Sequence, residues 1–353
     1  MARRLGILFQ TAGRVSSVKQ LASSRSIYMA PPPISSFQPQ EGYADRAKQF
    51  YEFEEVSKDV FKTSNLSSSR QGSHKAAYGG LIFSQAMAAA ENTVSSDLKP
   101  HAIHSFFILN VDTSIPVEYT VRRSRDGKSF CTRSVEAIQN EKVAFTMEIS
   151  FHKIEPDAVI HQAEMPNVPH WSELACTREA VPWIKDKVEK ENIELPKSVQ
   201  WSLYQYDSRA SGQGDLFEIR PTDIYKHYGL SSDTSTKTFY HWFRAVGDLP
   251  TDEKLHRYLV AYNTDSVMAA SVYRPHYVHK DFCPTMMFSL DHNIWIHEHD
   301  LKADQWLLYA VESTWAGKSR GFTKGQLFTE DGRLVLSATQ ECLVRSRGSV
   351  SRL

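Results

Sequence analysis

Residues 286–300 read MMFSLDHNIWIHEHD, placing three histidines, three carboxylates and a serine within fifteen positions. Taken as a β-strand, the stretch puts Asp291, Asn293, Trp295, His297 and His299 on one face and His292 and Glu298 on the other. Two histidines at i and i+2 could ligate zinc, but no second cluster offers the remaining ligands, so a solvated strand end is the better reading and no metal is expected. A second pattern, GKSRG at 317–321, matches the G-x-S-x-G hydrolase motif. That motif needs a helix after its serine and a histidine further downstream. Here the strand-like FTKGQLF follows and no histidine occurs after His299, which excludes such a triad on Ser319.

Two quieter residues carry more chemistry. Asp265 lies in an apolar helical stretch whose i−4, i−3, i+3 and i+4 neighbours are Ala261, Tyr262, Met268 and Ala269, so its carboxylate emerges on an apolar face. Burial disfavours the charged form and demands a partner. Gln340 shares the apolar face of its strand with Leu334, Leu336, Ala338, Cys342 and Val344. A buried amide left unpaired costs about 1–3 kcal/mol, and Asp265 is a suitable partner for it. The bland alternatives are that the two merely satisfy each other in a core or that Asp265 caps a broken helix.

The elements that must position these residues follow from periodicity. AYGGLIFSQAMAAAENTV (77–94) is Ala-rich with little β-branching and predicts a buried helix. VEYTVRRS (117–124), FCTRSVEAI (130–138) and VAFTMEISF (143–151) alternate apolar and polar residues and predict antiparallel strands. Residues 154–200 show no steady period until PWIKDKVEKENIEL (182–195), read as an exposed helix within a connecting segment. The second half then repeats the programme, with LHRYLVAYNTDSVMAASVY (255–273) as a helix and FSLDHNIWIH, WLLYAVEST, FTKGQLF and LVLSATQECLV as strands. Met87 matches Met268 at an offset of 181, His104 matches His292 at 188, and the turn at Asn140 matches Asp331 at 191. A slowly growing offset indicates a duplicated helix-plus-sheet unit with small insertions. The first half has Ser84 beside Gln85 where the second has its helical aspartate, so that half is expected to lack chemistry of its own and to serve as scaffold or as part of the substrate groove.

Composition bounds the remaining possibilities. A chain of 353 residues that is 41% hydrophobic can build two packed domains. Lys plus Arg equals Asp plus Glu at 41 each, so no global field recommends nucleic acid. Cys131, Cys176, Cys283 and Cys342 are widely spaced, which argues against a disulfide framework or zinc knuckle. No apolar run is long enough for a membrane span. The first forty residues hold five basic residues, seven serines and no acid, as in a mitochondrial leader. The chain ends Ser351-Arg352-Leu353, a variant of the Ser-Lys-Leu signal read by a peroxisomal import receptor. A start at Met29 would remove most of the basic segment and leave the second address alone.

At YGGLIFSQAM (78–87), HSFFI (104–108), RDGKSF (125–130), AIQNEK (137–142), YLVAYNTD (258–265), SLDHNIWIH (289–297), SRGFTKGQLFTEDGRLV (319–335) and ATQE (338–341) the chain resembles the thioesterase II family of acyl-CoA thioesterases. The likeness runs from about 48 to 345 and is weakest between 154 and 235. It implies an α+β fold, the double hotdog, in which two antiparallel sheets each wrap a long helix. The expected layout is a leader at 1–47, an N-terminal hotdog at 48–153, a connection at 154–205, a catalytic C-terminal hotdog at 206–347 and a tail at 348–353. By motif the family's catalytic residues fall on Asp265, Ser289 and Gln340, with a serine where the bacterial enzyme has threonine. The implied reaction is hydrolysis of acyl-CoA to free acid and CoA by a positioned water, without metal, cofactor or covalent serine ester. Gly79, Gly80, Lys318 and Arg320 are the candidates for substrate contacts. Homo-oligomers and the peroxisomal matrix are expected from the same resemblance, with the mitochondrion as the alternative address. A hotdog enoyl-CoA hydratase and an inactive acyl-CoA binder are the rival readings.

Overall fold

The computed structural model describes residues 32–35, 42–68, 75–200, 202–203, 216–231, 233, 235, 237–279 and 282–347. Met29, the basic leader through residue 31 and the Ser351-Arg352-Leu353 tail lie outside the described residues. The fold begins with α1 (Tyr43–Gln49), which straddles the expected end of the leader and buries Tyr43 and Ala47. Strands β1 (Glu54–Ser57) and β2 (Val60–Thr63) lead into α2 (Gly79–Glu91), followed by β3 (Leu98–Phe107), β4 (Val117–Asp126), β5 (Phe130–Gln139) and β6 (Lys142–Lys153). Every residue of α2 after Gly79 is buried. A helix apolar on all sides belongs inside a core.

The second half contains β7 (Phe217–Pro221), β8 (Thr238–Ala245), β9 (Cys283–Ser289), β10 (Asp291–Ile296), β11 (Leu307–Gly317), β12 (Arg320–Thr329) and β13 (Leu334–Arg347). Helices α3 (Thr177–Lys190) and α4 (Ile224–Tyr228) flank β7, and the long α5 (Glu253–Tyr273) lies between β8 and β9. The Asp252 carboxylate caps α5 by accepting the Lys254 N–H at 3.0 Å. Outward from the central β3/β10 pair the two halves follow one order, β3-β6-β5-β4-β2-β1 and β10-β13-β12-β11-β8-β7. Each half thus wraps a sheet about its own helix, and the two sheets fuse edge to edge as a double hotdog. The helices cross closely at Gly80, where an added Cβ would stand 2.2 Å from the Tyr262 carbonyl oxygen. Beyond it, Arg257 of α5 pairs with Glu91 of α2 at 2.5 Å, both side chains out of solvent.

Three details differ from the sequence reading. First, α3 is amphipathic rather than exposed: it starts at Thr177 and buries Thr177, Ala180, Val181 and Ile184 against a cluster shared with Tyr273 and Tyr277. Second, the repeat match at the sheet junction shifts by one residue. His104 lies exposed against Trp295, whereas Ser105 and His292 are the buried pair directly opposite each other. A one-residue slip turns every side chain to the other face. Third, 286–299 is not one strand. It breaks at Leu290, whose N–H reaches the Glu341 carbonyl at 2.8 Å, while the Asp291 carboxylate accepts the Glu341 N–H at 2.6 Å. Regular pairing ends at Ile296, so His297 and His299 lie beyond it, and His297 Nε2 sits 2.9 Å from Ser337 Oγ. Among the described residues no three His, Cys, Asp or Glu side chains converge on a metal-sized site.

Candidate active site

The break at Leu290 builds the site. Ser289 and His292 are three residues apart, so strict alternation would send them to opposite faces. The bulge aims both at α5: Ser289 Oγ lies 3.0 Å from Asp265 Oδ1, and His292 Nε2 lies 2.8 Å from Thr264 Oγ1. Gln340 arrives from β13, which pairs with β9 on one side of the break and with β10 on the other. Its Nε2 donates to Asp265 Oδ1 at 2.8 Å and to Ser289 Oγ at 2.5 Å. Asp265, Ser289 and Gln340 therefore meet in one triangle.

Within that triangle the two carboxylate oxygens differ. Among the described residues Asp265 Oδ1 takes both hydrogen bonds and Oδ2 takes none. Oδ2 instead faces Gly79 at the start of α2, where an added Cβ would stand 3.1 Å from it and 3.1 Å from the Phe107 ring. Glycine thus leaves a gap beside the carboxylate. The first N–H groups of α2 have no preceding helical turn to bond, and the positive end of the helix dipole favours negative charge there.

The gap opens into a cavity of about 330 Å³. Its walls are largely apolar, including Ala77, Ile82, Phe107, Leu109, Phe145, Ala269, Met287 and Phe288, and Asp265, Ser289 and Gly79 lie along one side. Its rim is apolar as well, with Ile108, Leu109 and Phe288 exposed. Such a cavity suits a tail-bearing ligand whose reactive polar group ends at the carboxylate.

The other expected contacts are placed differently. Gly80 is a helix-packing glycine and does not line the cavity, nor do Lys318 and Arg320. Those two basic residues occupy the β11–β12 turn, where Lys318 and Ser319 take positive φ of 51° and 60°, and Arg320 pairs with Glu341 at 2.9 Å. This is a hairpin turn, the bland reading of GKSRG. In the first half, Ser84 is sealed under the Tyr51 hydroxyl at 3.0 Å, and Gln85 is saturated by Tyr119, Phe50 and Asn65. Among the described residues no carboxylate bonds to either side chain, and neither lines the cavity beside Asp265.

Behind the triangle lies a layer that periodicity did not reveal. His292 is fully buried, its pKa held down by burial, with Nδ1 3.2 Å from Gln340 Oε1. Asp291, whose pKa burial raises, ties β10 to β13. Both residues lie in the 286–300 stretch, but only the bulge decides which way each one turns.

Known proteins share both the architecture and the sequence. Residues 67–152 match the family model for the acyl-CoA thioesterase N-terminal domain, and 202–344 match the C-terminal one. The chain is 35% identical over 280 residues to human acyl-coenzyme A thioesterase 8, covering 78% of this chain and 83% of that protein. It is 24% identical over 326 residues to the Saccharomyces cerevisiae peroxisomal acyl-coenzyme A thioester hydrolase 1, covering 81% and 90%. The crystal structure of an acyl-CoA thioesterase II from Mycobacterium marinum superposes with a TM-score of 0.64 at 26% identity, over 85% of this chain and 98% of that one. With both halves matched by the family models and the human relative 35% identical over most of both chains, the chain belongs to the acyl-CoA thioesterase II family of thioester hydrolases.

Proposed function

We propose that this enzyme hydrolyses acyl-CoA to free acid and CoA, with water activated by Asp265. One observation carries the reading: Oδ1 of Asp265 is held by Ser289 and Gln340, while Oδ2 faces the gap beside Gly79 at the wall of an apolar cavity. A water in that gap would lose a proton to Oδ2 as its oxygen attacks the thioester carbonyl. Ser289 and Gln340 orient the carboxylate and the water, and the first amides of α2 stabilise the oxyanion. Collapse of the intermediate breaks the C–S bond, and the CoA thiolate, a good leaving group, regains a proton from Asp265 or solvent. A hydratase would need a histidine at the substrate, and none is among the cavity-lining residues.

On this reading 48–153 and 206–347 are the two hotdog units, 154–205 joins them, and the chemistry belongs to the second. The peroxisomal yeast relative and the Ser351-Arg352-Leu353 tail support import into the peroxisomal matrix. Assembly as a homo-oligomer is part of the same proposal.

The test is thiol release from a panel of short to long acyl-CoAs, with wild type beside Asp265→Asn. The expected outcome is turnover by wild type and a loss of at least about a hundredfold in a folded variant, as for a general base. An Asp265→Asn enzyme of full activity would remove Asp265 from the mechanism. Wild type that binds a non-hydrolysable acyl-CoA in equilibrium dialysis yet never releases thiol would leave the binding reading in its place.

A further inference from the structure

We propose that His292 is a positioning residue, which fixes the amide of Gln340 so that its NH2 group faces Asp265 and Ser289. An amide side chain can sit either way round at similar steric cost, and the two orientations differ only in their hydrogen bonds. With oxygen facing the site, Gln340 would oppose the Asp265 carboxylate and orient nothing. On the far side of the amide His292 is the one partner of Oε1 among the described residues, with Nδ1 3.2 Å from Gln340 Oε1 and no part of the ring exposed. Because Oε1 can only accept, Nδ1 must carry the hydrogen.

The rest of the pocket around the imidazole accommodates that tautomer. Nε2 lies 2.8 Å from Thr264 Oγ1, a hydroxyl able to donate to it, although the Ala261 carbonyl at 2.7 Å competes for the same hydrogen. Phe83 packs edge-on to the ring at 4.8 Å between centroids and excludes water. Burial also keeps the ring neutral, which spares Nε2 as an acceptor. A directed chain results, from Thr264 through His292 and Gln340 to Asp265. Thr264 and Asp265 are consecutive on α5, so the chain closes on the helix that carries the base. None of its inner members lines the cavity, and their effect reaches substrate only through Gln340.

This inference rests on the water-activation reading, and a double-mutant cycle separates the two. His292→Ala is expected to lower kcat at least about tenfold with KM changed less than about twofold. His292→Asn, which keeps an N–H near the Nδ1 position, should recover most of the loss. In a Gln340→Ala background, His292→Ala should cost less than about twofold more, because the group it positions is already gone. Equal losses in both backgrounds, or a folded His292→Asn enzyme no better than His292→Ala, would overturn the proposal and leave a packing role. Full activity in Gln340→Ala alone would overturn the underlying reading and the proposal together. Should His292→Ala fail to fold, imidazole nitrogen NMR of the wild type, assigned with His292→Asn, decides the matter. Nδ1 is expected to be protonated and Nε2 bare at neutral pH, and the opposite tautomer would refute the chain.

Discussion

At the residue scale, the site depends on small geometric allowances. Gly79 is the clearest, since its missing Cβ leaves the space beside Asp265 Oδ2. Gly79→Ala is expected to reduce kcat about tenfold or more while thermal stability changes little, because alanine suits a helix at least as well as glycine does. Steady-state kinetics beside a melting curve check this, and an active Gly79→Ala enzyme would move the water elsewhere. Asp265 and Gln340 were legible from sequence because each is a polar residue on an otherwise apolar face, and such groups need partners. Ser289 was legible only through family resemblance. Alternation set His292 on the face opposite His297 and His299, and its inward turn beside Ser289 depends on a bulge that spacing does not encode. Lys318 and Arg320, chosen for charge alone, sit at the β11–β12 turn and are not among the residues lining the cavity.

At the element scale, the two long helices and the bulged strand do the positioning. α2 and α5 touch at Gly80 and are joined by the buried Arg257–Glu91 pair. Removing one member of a buried ion pair leaves an uncompensated charge and costs about 3–5 kcal/mol. Arg257→Ala should therefore lower the urea midpoint by an amount equivalent to about 3 kcal/mol or more. A variant within about 0.5 kcal/mol of wild type would show that the charges are not truly desolvated. Helix existence and strand alternation were readable, since both are local periodicities. The amphipathic character of α3 was missed because its apolar positions are few and Pro182 interrupts the pattern, yet Ala180, Val181 and Ile184 find a satellite core formed by distant segments.

At the scale of the whole molecule, buried histidines make stability depend on pH. Burial lowers the pKa of His241 and His292, and brings His276 and His299 to about 4. In the unfolded chain these residues protonate near pH 6.5, so between about 6.5 and 4 the unfolded state binds more protons and stability falls as pH falls. Depressed carboxylates such as Asp59 and Asp331 add their loss only at lower pH, below the ordinary carboxylate range. Melting temperature should drop measurably between pH 7 and pH 5, and a flat profile would contradict the burial of these rings. Cellular address is a second whole-molecule property: deleting Ser351-Arg352-Leu353 is expected to release a fluorescently tagged enzyme from peroxisomes, whereas retention there would point to another signal. By itself the sequence determined the duplicated helix-plus-sheet plan and the polar residues stranded on apolar faces, because periodicity and burial cost are written along the chain, and its motifs carried the resemblance to the family. Only the tertiary structure decided which oxygen of Asp265 is left unpaired, that Ser289 and His292 turn the same way, and that Ser84 and Gln85 are tied up by their own partners while the rest of the first half walls the cavity. Those outcomes depend on a strand bulge and on groups brought together from far apart in the chain, and local pattern carries no record of either.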